Sequence, residues 1–403
     1  MRAEEASPAT QPHCCGRRAR VGKWFPTVEL LLASRSIYPG VGRWAIYIGN
    51  LFAPEISAAP IVSVCPLLLY TDRLNRDLQP DLRMWIEQLR SGDIRALARA
   101  ISTVENHAPG WSDLLKALFP HSGHARIIGL TGSPGAGKST LVDHLARLYR
   151  AGGNNVGANE SQRTIGIIAV DPTSPYTGGA ILGDRIRMQE HFADPGIYIR
   201  SMATRGSLGG LARTTADVAT VLDASGRDLV LIETVGVGQD EVDIVRLADV
   251  TIVILVPGMG DDVQTIKAGI MEIADIFVIN KSDHEGAERV EREIRALQSL
   301  ALRHDVWTPP IVKTVASEGT GVKELAAAIA EYETYLRKEN HALKKSVENW
   351  QERLVTMLRD AMLEKARAQF GDGNLARLAA EVAEHKRDPY TLVEEIAAEA
   401  GKK

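Results

Sequence analysis

The chain has 403 residues, of which 45% are hydrophobic and 24% are charged, so it can bury the core of one large or two modest domains. Its net charge of −4 argues against a nucleic-acid-binding protein, and its longest apolar run, Ile61–Tyr70, is too short and interrupted to span a bilayer. The last of the three cysteines is Cys65, so the body of the protein has no disulfide and a reducing compartment, the cytoplasm, is expected.

The first 78 residues differ from the rest because they are rich in proline and show no sustained period of 2 or 3.6. A transit peptide is one interpretation, since arginines are frequent near the start. We favour instead a disordered segment, or a segment upstream of the true translation start near Met84. Ordered structure is expected to begin near Asp81.

A helical segment is predicted over residues 79–120. Within it, the apolar residues Ile94, Leu97, Ala98 and Ile101 follow helical spacing, and Asp93 is placed to cap that helix.

Short apolar runs then alternate with helical stretches over residues 121–334. The predicted strands are Arg126–Leu130, Thr164–Val170, Leu229–Ile232, Val250–Val256, Ile276–Ile279 and Ile311–Val315. The predicted helices are Lys138–Arg150, Leu208–Leu222, Asp262–Ile273, Glu285–Leu302 and Val322–Lys338. This order predicts an α/β fold of the P-loop NTPase type, with a mostly parallel sheet that carries helices on both faces.

Residues 335–403 show only helical periodicity and are predicted to form a C-terminal helical arm. The arm has one apolar stripe, which either packs on its own domain or meets a second copy of the chain. Its members are Val347, Trp350, Leu354, Met357 and Ala361. We expect this arm to dimerise the protein.

A phosphate-binding loop is predicted at Gly132–Thr140, where the segment GSPGAGKST lies between a strand and a helix. The glycines let backbone N–H groups surround a phosphate chain, and Lys138 supplies a positive charge to the β- and γ-phosphates. Ser139 is expected to bind Mg²⁺ through its hydroxyl. The predicted phosphate-binding residues are Gly132, Ser133, Pro134, Gly135, Ala136, Gly137, Lys138, Ser139 and Thr140.

Three carboxylates at strand or loop ends are candidates for the Mg²⁺ centre: Asp171, Asp184 and Glu233. For each of them the alternative is a solvated carboxylate without a metal. We expect hydrolysis by in-line attack of water, in which Lys138 and Mg²⁺ offset the developing charge and Glu233 or Asp184 positions the water.

Two segments are candidate nucleotide switches. Pro172–Gly183 is rich in proline and glycine, and Gly236–Glu241 follows the metal carboxylate. The N–H of Gly236 is a candidate donor to the γ-phosphate.

The tetrapeptide Asn280-Lys281-Ser282-Asp283 ends an apolar strand and predicts recognition of guanine. Asp283 would accept from the N1–H and the exocyclic amine of guanine, a pattern that adenine reverses. Lys281 would pack along the base, and Asn280 would hold the base loop to the phosphate loop. Ala316, in the stretch after the last strand, would close over the base with its N–H.

Long strings of this sequence resemble the MeaB/ArgK family of GTPases, over about Met84 to Ile396. They read AVDPTSPYTGGAILGDRIRM, SMATRGSLGGLA, ETVGVGQDE, PGMGDDVQTIKAGI and RDPYTLVEEI. The resemblance implies a homodimeric GTPase that uses Mg²⁺ with GTP and GDP. It further implies a chaperone that gates cofactor loading of an adenosylcobalamin-dependent acyl-CoA mutase, methylmalonyl-CoA mutase, and protects it from inactivation.

By motif, the resemblance assigns the phosphate and metal roles, the acidic cluster and the base readers to the residues already named. It also marks Gly258–Lys267 as a mobile segment that signals nucleotide state to the partner. The candidate residues there are Asp261, Asp262, Gln264 and Lys267. An exposed helix start, where acidic residues are favoured, is the alternative interpretation.

Two departures from the family pattern stand out. Asn154–Arg163 resembles a polar insertion in a surface loop, and Asp240 stands where a small polar residue is expected.

Three other functions are alternatives. A scaffold that binds GTP without turnover would not need Asp171, Asp184 and Glu233 near a phosphate, so these carboxylates argue against it. A nickel-delivery GTPase needs Cys or His ligands beside the switches, and no cysteine follows Cys65. A transport-associated P-loop kinase needs an acceptor pocket with a base, for which the sequence has no separate signal.

Overall fold

The computed structural model describes residues 80–152, 162–171, 188, 191, 193–203, 210–234, 236, 247–258, 273–300, 307–338 and 340–400. All of them belong to one compact unit, Leu78–Lys403. The N-terminal extension, most of the predicted insertion and Asp240 lie outside these residues. None of the described helices combines the length and apolarity that a membrane crossing requires.

Within residues 80–125, three helices precede the sheet: α1 (Pro80–Arg90), α2 (Ile94–Glu105) and α3 (Trp111–Leu118), followed by a 3-10 turn, Phe119–His121. The predicted cap of α2 is confirmed, because the Asp93 carboxylate accepts from the N–H groups of Arg95 and Ala96 at 2.7 and 2.9 Å. These helices bury one apolar side against the sheet, since Leu97, Ile101 and Leu118 are essentially inaccessible to solvent.

Seven parallel strands form the sheet, in the order β3-β2-β4-β1-β5-β6-β7. Their bounds are β1 Arg126–Gly132, β2 Ile165–Asp171, β3 Ile197–Ala203, β4 Leu229–Glu233, β5 Val250–Leu255, β6 Ile276–Ile279 and β7 Ile311–Lys313. This order places β4, β1 and β5 at the centre. Six strands match the predicted positions within two residues.

Helices cover both faces of the sheet, as the alternating pattern predicts. Those that the structure describes are α4 (Lys138–Arg150), α5 (Gly210–Ala224), α6 (Ala287–Leu300) and α7 (Val322–Arg337). Successive strand residues contribute to opposite cores: Leu231 packs in the cluster with α4 and α7, whereas Ile232 packs in the cluster with α2, α3 and α5. The fold is therefore an α/β sheet of the P-loop NTPase type.

The edge strand β3 was not predicted from the sequence. In Ile197–Ala203 buried and partly exposed residues alternate at first, and Arg200 and Ser201 interrupt the apolar run. A strand at the edge of the sheet is covered less completely than a central one, so it lacks the continuous apolar run that marks β4 or β5. The predicted helix Asp262–Ile273 falls almost wholly outside the described residues.

The C-terminal part is helical: α8 (His341–Phe370), α9 (Asp372–Ala383) and α10 (Pro389–Ala400). Polar contacts hold α8 to the sheet domain, since Lys345 Nζ lies 2.6 Å from Asp275 Oδ2 and Arg353 Nη2 lies 2.9 Å from Asp217 Oδ1. Burial raises the pKa of Asp217, even though Arg353 beside it favours the charged form.

The predicted apolar stripe of the arm divides between two environments. The ring of Trp350 packs edge-on against Phe119, with ring centroids 5.6 Å apart. Val347 and Leu354 remain 46% and 57% exposed. The stripe therefore packs on its own domain at one position and leaves apolar surface uncovered at others.

The connection from α3 to β1 depends on one carboxylate. Asp223, buried on α5, accepts from the N–H groups of Gly123, His124 and Ala125. We expect Asp223→Ala to lower the free energy of unfolding by about 2–4 kcal/mol, because three donors lose a charged acceptor. Urea unfolding of the nucleotide-free protein measures this. Asp113→Ala, at an exposed ion pair, should change it by less than about 0.5 kcal/mol. Equal effects of the two changes would contradict the assignment.

Candidate nucleotide-binding site

The predicted phosphate loop connects β1 to α4 at the carboxyl edge of the central strands. Gly132, Gly135 and Gly137 have φ angles of 145°, 78° and 90°, which side-chain-bearing residues rarely adopt. A Cβ on Gly132 would lie 2.2 Å from Ile254 O, and one on Gly137 would lie 2.2 Å from Asn280 Nδ2. Both glycines are thus required by backbone angle and by close neighbours.

Lys138 opens α4 and turns back over the loop. Its Nζ donates to Gly132 O at 2.7 Å and to Ser133 O at 3.0 Å, and the residue is only 6% exposed. The ammonium charge is therefore held within the curve of the loop, at the amino end of a helix, where a phosphate is favoured.

Ser139 and Glu233 meet across the site. Ser139 Oγ donates to Glu233 Oε1 at 2.6 Å, and both residues are buried. Glu233 ends β4, whose register with β1 sets Leu130 opposite Glu233. A hydroxyl and a carboxylate at this separation are a donor set that Mg²⁺ accepts, so these residues fit the metal that the fold implies.

The other two candidate carboxylates are less fully defined. Asp171 is the last residue of β2, two positions beyond Ala169, which pairs with Glu233. Its backbone therefore lies at the same edge of the sheet, while its side chain is not among the groups that the structure describes. Asp184 lies outside the described residues, as do Asp261, Asp262, Gln264 and Lys267. Their roles stay predictions.

Gly236 lies directly on the phosphate loop. Its φ is 92°, and a Cβ there would come within 2.2 Å of Gly132 O and 2.6 Å of Lys138 Nζ. The chain after Glu233 therefore returns to the loop at a residue that has to be glycine. This contact puts the start of the second candidate switch beside the Lys138 ammonium.

Asn280 connects three loops. Its Nδ2 donates to Ala136 O at 2.7 Å, while its Oδ1 accepts from Thr314 Oγ1 and from the N–H of Ala316, each at 3.0 Å. The side chain is almost fully buried. The base loop, the phosphate loop and the loop after β7 are thus held together by one amide, and the N–H of Ala316 is engaged by Asn280.

Lys281 and Asp283 complete the base loop. Lys281 has a left-handed backbone with φ of 53°, which turns the chain sharply after β6. The N–H of Ser282 donates to Thr314 O at 3.1 Å and anchors the turn. The Asp283 side chain is 54% exposed and lies 3.8 Å from His284 Nε2, so its carboxylate is accessible to a base.

Two buried side-chain pairs near the site were not predicted. Asp143, on α4, lies 2.6 Å from His191 Nε2. Burial tends to raise the pKa of Asp143, but the hydrogen bond with His191 and the charge of Arg147 outweigh it and lower that pKa. Thr234 Oγ1 donates to Thr131 Oγ1 at 3.1 Å. Asp143 carries no motif, but Thr131 and Thr234 each adjoin a motif residue, which is the signal that was overlooked.

The site has a phosphate loop, a strand-end carboxylate, Glu233, that accepts a hydrogen bond from Ser139 of the following helix, and a guanine-type base loop that Asn280 holds in place. Together with the fold, these features define the class of protein: a P-loop GTPase. The chain belongs to the MeaB family, described as methylmalonyl Co-A mutase-associated GTPase MeaB, whose model matches residues 97–370.

Relatives agree with this class. A Pyrococcus abyssi protein to which GTPase activity is ascribed is 47% identical over 77% of this chain and 94% of its own length. GTPase ArgK of Escherichia coli is 38% identical over 62% of this chain and 76% of its own length. The mouse methylmalonic aciduria type A homolog, a mitochondrial protein, is 39% identical over 51% of this chain and 48% of its own length.

Among solved structures, the crystal structure of an LAO/AO transport system kinase matches with a TM-score of 0.58 and 28% identity. The match covers 80% of this chain and 98% of that one. Within the described part of the chain, no group of three or more His, Cys, Asp and Glu residues is arranged to hold a metal ion.

Proposed function

We propose that this protein is a GTP-hydrolysing chaperone of an adenosylcobalamin-dependent acyl-CoA mutase, with methylmalonyl-CoA mutase as the client. The observation that carries the proposal is the family match, which spans the whole nucleotide site and names that mutase. The mouse relative, named for methylmalonic aciduria, supports the same client. We place the protein in the cytoplasm, where it gates cofactor loading and protects the mutase from inactivation.

In the proposed mechanism, Ser139, Glu233, Asp171 and Asp184 would hold Mg²⁺ beside the nucleotide. The bound metal would neutralise charge on the β- and γ-phosphate oxygens. Lys138 adds a buried positive charge, and its attraction to the phosphate oxygens increases as negative charge develops on them. Glu233 or Asp184 orients the attacking water.

Nucleotide state is proposed to reach the client through segments that leave the same edge of the sheet. Gly236 contacts the phosphate loop, and β5, which pairs directly with β1, leads into Gly258–Lys267. We propose that a change at the γ-phosphate passes from the phosphate loop through the hydrogen bonds between β1 and β5 to Asp261, Asp262, Gln264 and Lys267. We propose these four as client-facing residues.

The test is GTP turnover by the full-length protein, alone and with the same organism's mutase. We expect the mutase to raise kcat about tenfold. This increase is well below the increase in kcat of about 10³–10⁵-fold that an arginine finger supplied in trans gives. Transfer of adenosylcobalamin to apo-mutase, followed by absorbance, should require hydrolysable GTP.

The control is Lys138→Ala, which should remove both effects. Turnover that does not respond to the mutase, with no co-elution of the two proteins, would refute the client. Transfer of the γ-phosphate to an amino-acid acceptor would favour the kinase alternative.

We further propose that the protein is a homodimer formed through α8. Seven large apolar side chains of α8 are 46–67% exposed: Leu343, Val347, Leu354, Val355, Leu358, Met362 and Leu363. An apolar helix face of this extent is typical of a protein–protein interface. We expect Leu358→Asp to convert the dimer to monomer in sedimentation velocity. Glu324→Lys, a control substitution on α7, should leave the protein dimeric. A wild-type protein that is monomeric at about 50 µM would refute the dimer.

A further inference from the structure

Two buried threonines join the strands that carry the phosphate loop and the metal carboxylate. Thr131 precedes Gly132 in β1, and Thr234 follows Glu233 at the end of β4. Each is only 1% exposed, and their hydroxyl oxygens lie 3.1 Å apart. The N–H of Thr234 also donates to Leu130 O at 3.1 Å, so β4 stays paired with β1 one residue beyond Glu233.

This pair lies between two groups that the nucleotide is proposed to contact. On one side of Thr234, the Glu233 carboxylate accepts from Ser139. On the other side, Gly236 lies against Gly132 O and Lys138 Nζ. A shift of Thr234 would therefore move two groups together: the Glu233 carboxylate and Gly236, the first residue of the second candidate switch.

We infer that Thr131 and Thr234 are positioning residues for GTP hydrolysis: their hydroxyl contact holds Glu233 and Gly236 in register with the phosphate loop. The inference deepens the proposed function and rests on its placement of Glu233 and Gly236 near the γ-phosphate. GDP lacks that phosphate, so the pair should matter for GTP and little for GDP.

The alternative is a buried hydroxyl pair that only stabilises the sheet. Thr251 offers a matched comparison, because it is equally buried in β5 and its Oγ1 has no hydrogen-bond partner among the described residues. Thr251→Val therefore removes a buried hydroxyl next to the same central strand without breaking a side-chain contact.

The experiment compares full-length Thr234→Val, Thr131→Val, the double variant, Thr234→Ser and Thr251→Val. We expect each single valine variant at the pair to lower kcat about tenfold. This loss is smaller than the loss in rate of about 10²-fold that a misplaced catalytic group can cause. Affinity for a non-hydrolysable GTP analogue should fall about fivefold with GDP affinity within about twofold, because the pair acts at the γ-phosphate end.

The kcat of the double variant should lie within about twofold of that of either single variant, because each substitution removes the same hydroxyl contact. Thr234→Ser should recover kcat to within about twofold, and Thr251→Val should keep it. If Thr234→Val does not fold, Thr131→Val, which leaves β4 unchanged, carries the same test.

Two outcomes would overturn the inference. One is a valine variant with wild-type kcat and an unchanged ratio of GTP to GDP affinity but lower thermal stability, which identifies a structural pair. The other is an equal loss of GTP and GDP affinity. None of these measurements includes the mutase, so a failure of the proposed client leaves this result interpretable.

Discussion

Lys138→Ala is expected to weaken GTP binding at least about 100-fold, or about 2.8 kcal/mol. The Lys138 ammonium is held inside the phosphate loop by two carbonyl oxygens and is nearly excluded from water. Phosphate oxygens bound there meet a positive charge in a medium less screening than water. Without that charge, the phosphates depend on the backbone N–H groups, the helix terminus and the proposed Mg²⁺, and they bind less tightly.

Equilibrium titration with a fluorescent GTP analogue measures this effect, and turnover should fall with it. Lys116→Ala is the control, since Lys116 forms an exposed ion pair with Asp113 on α3. It should leave GTP affinity within about twofold, as expected for a surface charge. If Lys138→Ala bound GTP as tightly as wild type, the position assigned to the phosphates would be wrong.

Asp283→Asn is expected to change base specificity rather than abolish binding. The Asp283 carboxylate is accessible, and an amide of the same size offers a donor where the carboxylate offers only acceptors. Guanine presents two donors to this residue, so GTP affinity should fall about 100-fold or more. Xanthine carries an oxygen in place of the exocyclic amine, so xanthosine triphosphate should bind more tightly than it does to wild type.

Competition between GTP, xanthosine triphosphate and ATP for a fluorescent nucleotide measures this exchange. Asp113→Asn, on α3, changes an exposed carboxylate in the same way away from the site and should leave the order of affinities as in wild type. An unchanged preference for GTP in Asp283→Asn would show that another group recognises the base. Equal loss of all three nucleotides would show that the substitution had disturbed the loop instead.

Several elements were predictable because short stretches of chain carry their own signals. The helix predicted at Lys138–Arg150 has those bounds in the structure, since the glycines before it and the end of apolar spacing are both local features. The central strands were found from their continuous apolar runs. The edge strand β3 was missed because Arg200 and Ser201 interrupt its apolar run, so it lacks the continuous apolar run that marks the central strands.

The contacts within the site were harder to foresee. Ser139 and Glu233 are 94 residues apart, and Thr131 and Thr234 are 103 apart, so no local pattern relates them. They meet because β4 is the strand beside β1, although β2 and β3 come between them in the sequence. The sequence indicated that Glu233 ends a strand but not which strand would lie next to it.

The sequence by itself determined the α/β class, the phosphate loop, the base loop and the helical arm, because each depends on spacing along a continuous segment. Only the tertiary structure decided the strand order, the partner of each buried polar group and the apolar face that α8 leaves exposed. The physical reason is that parallel strands are joined through crossovers, so their neighbours are set by packing of the whole sheet. A hydrogen bond across that sheet exists only once the register between its strands is established.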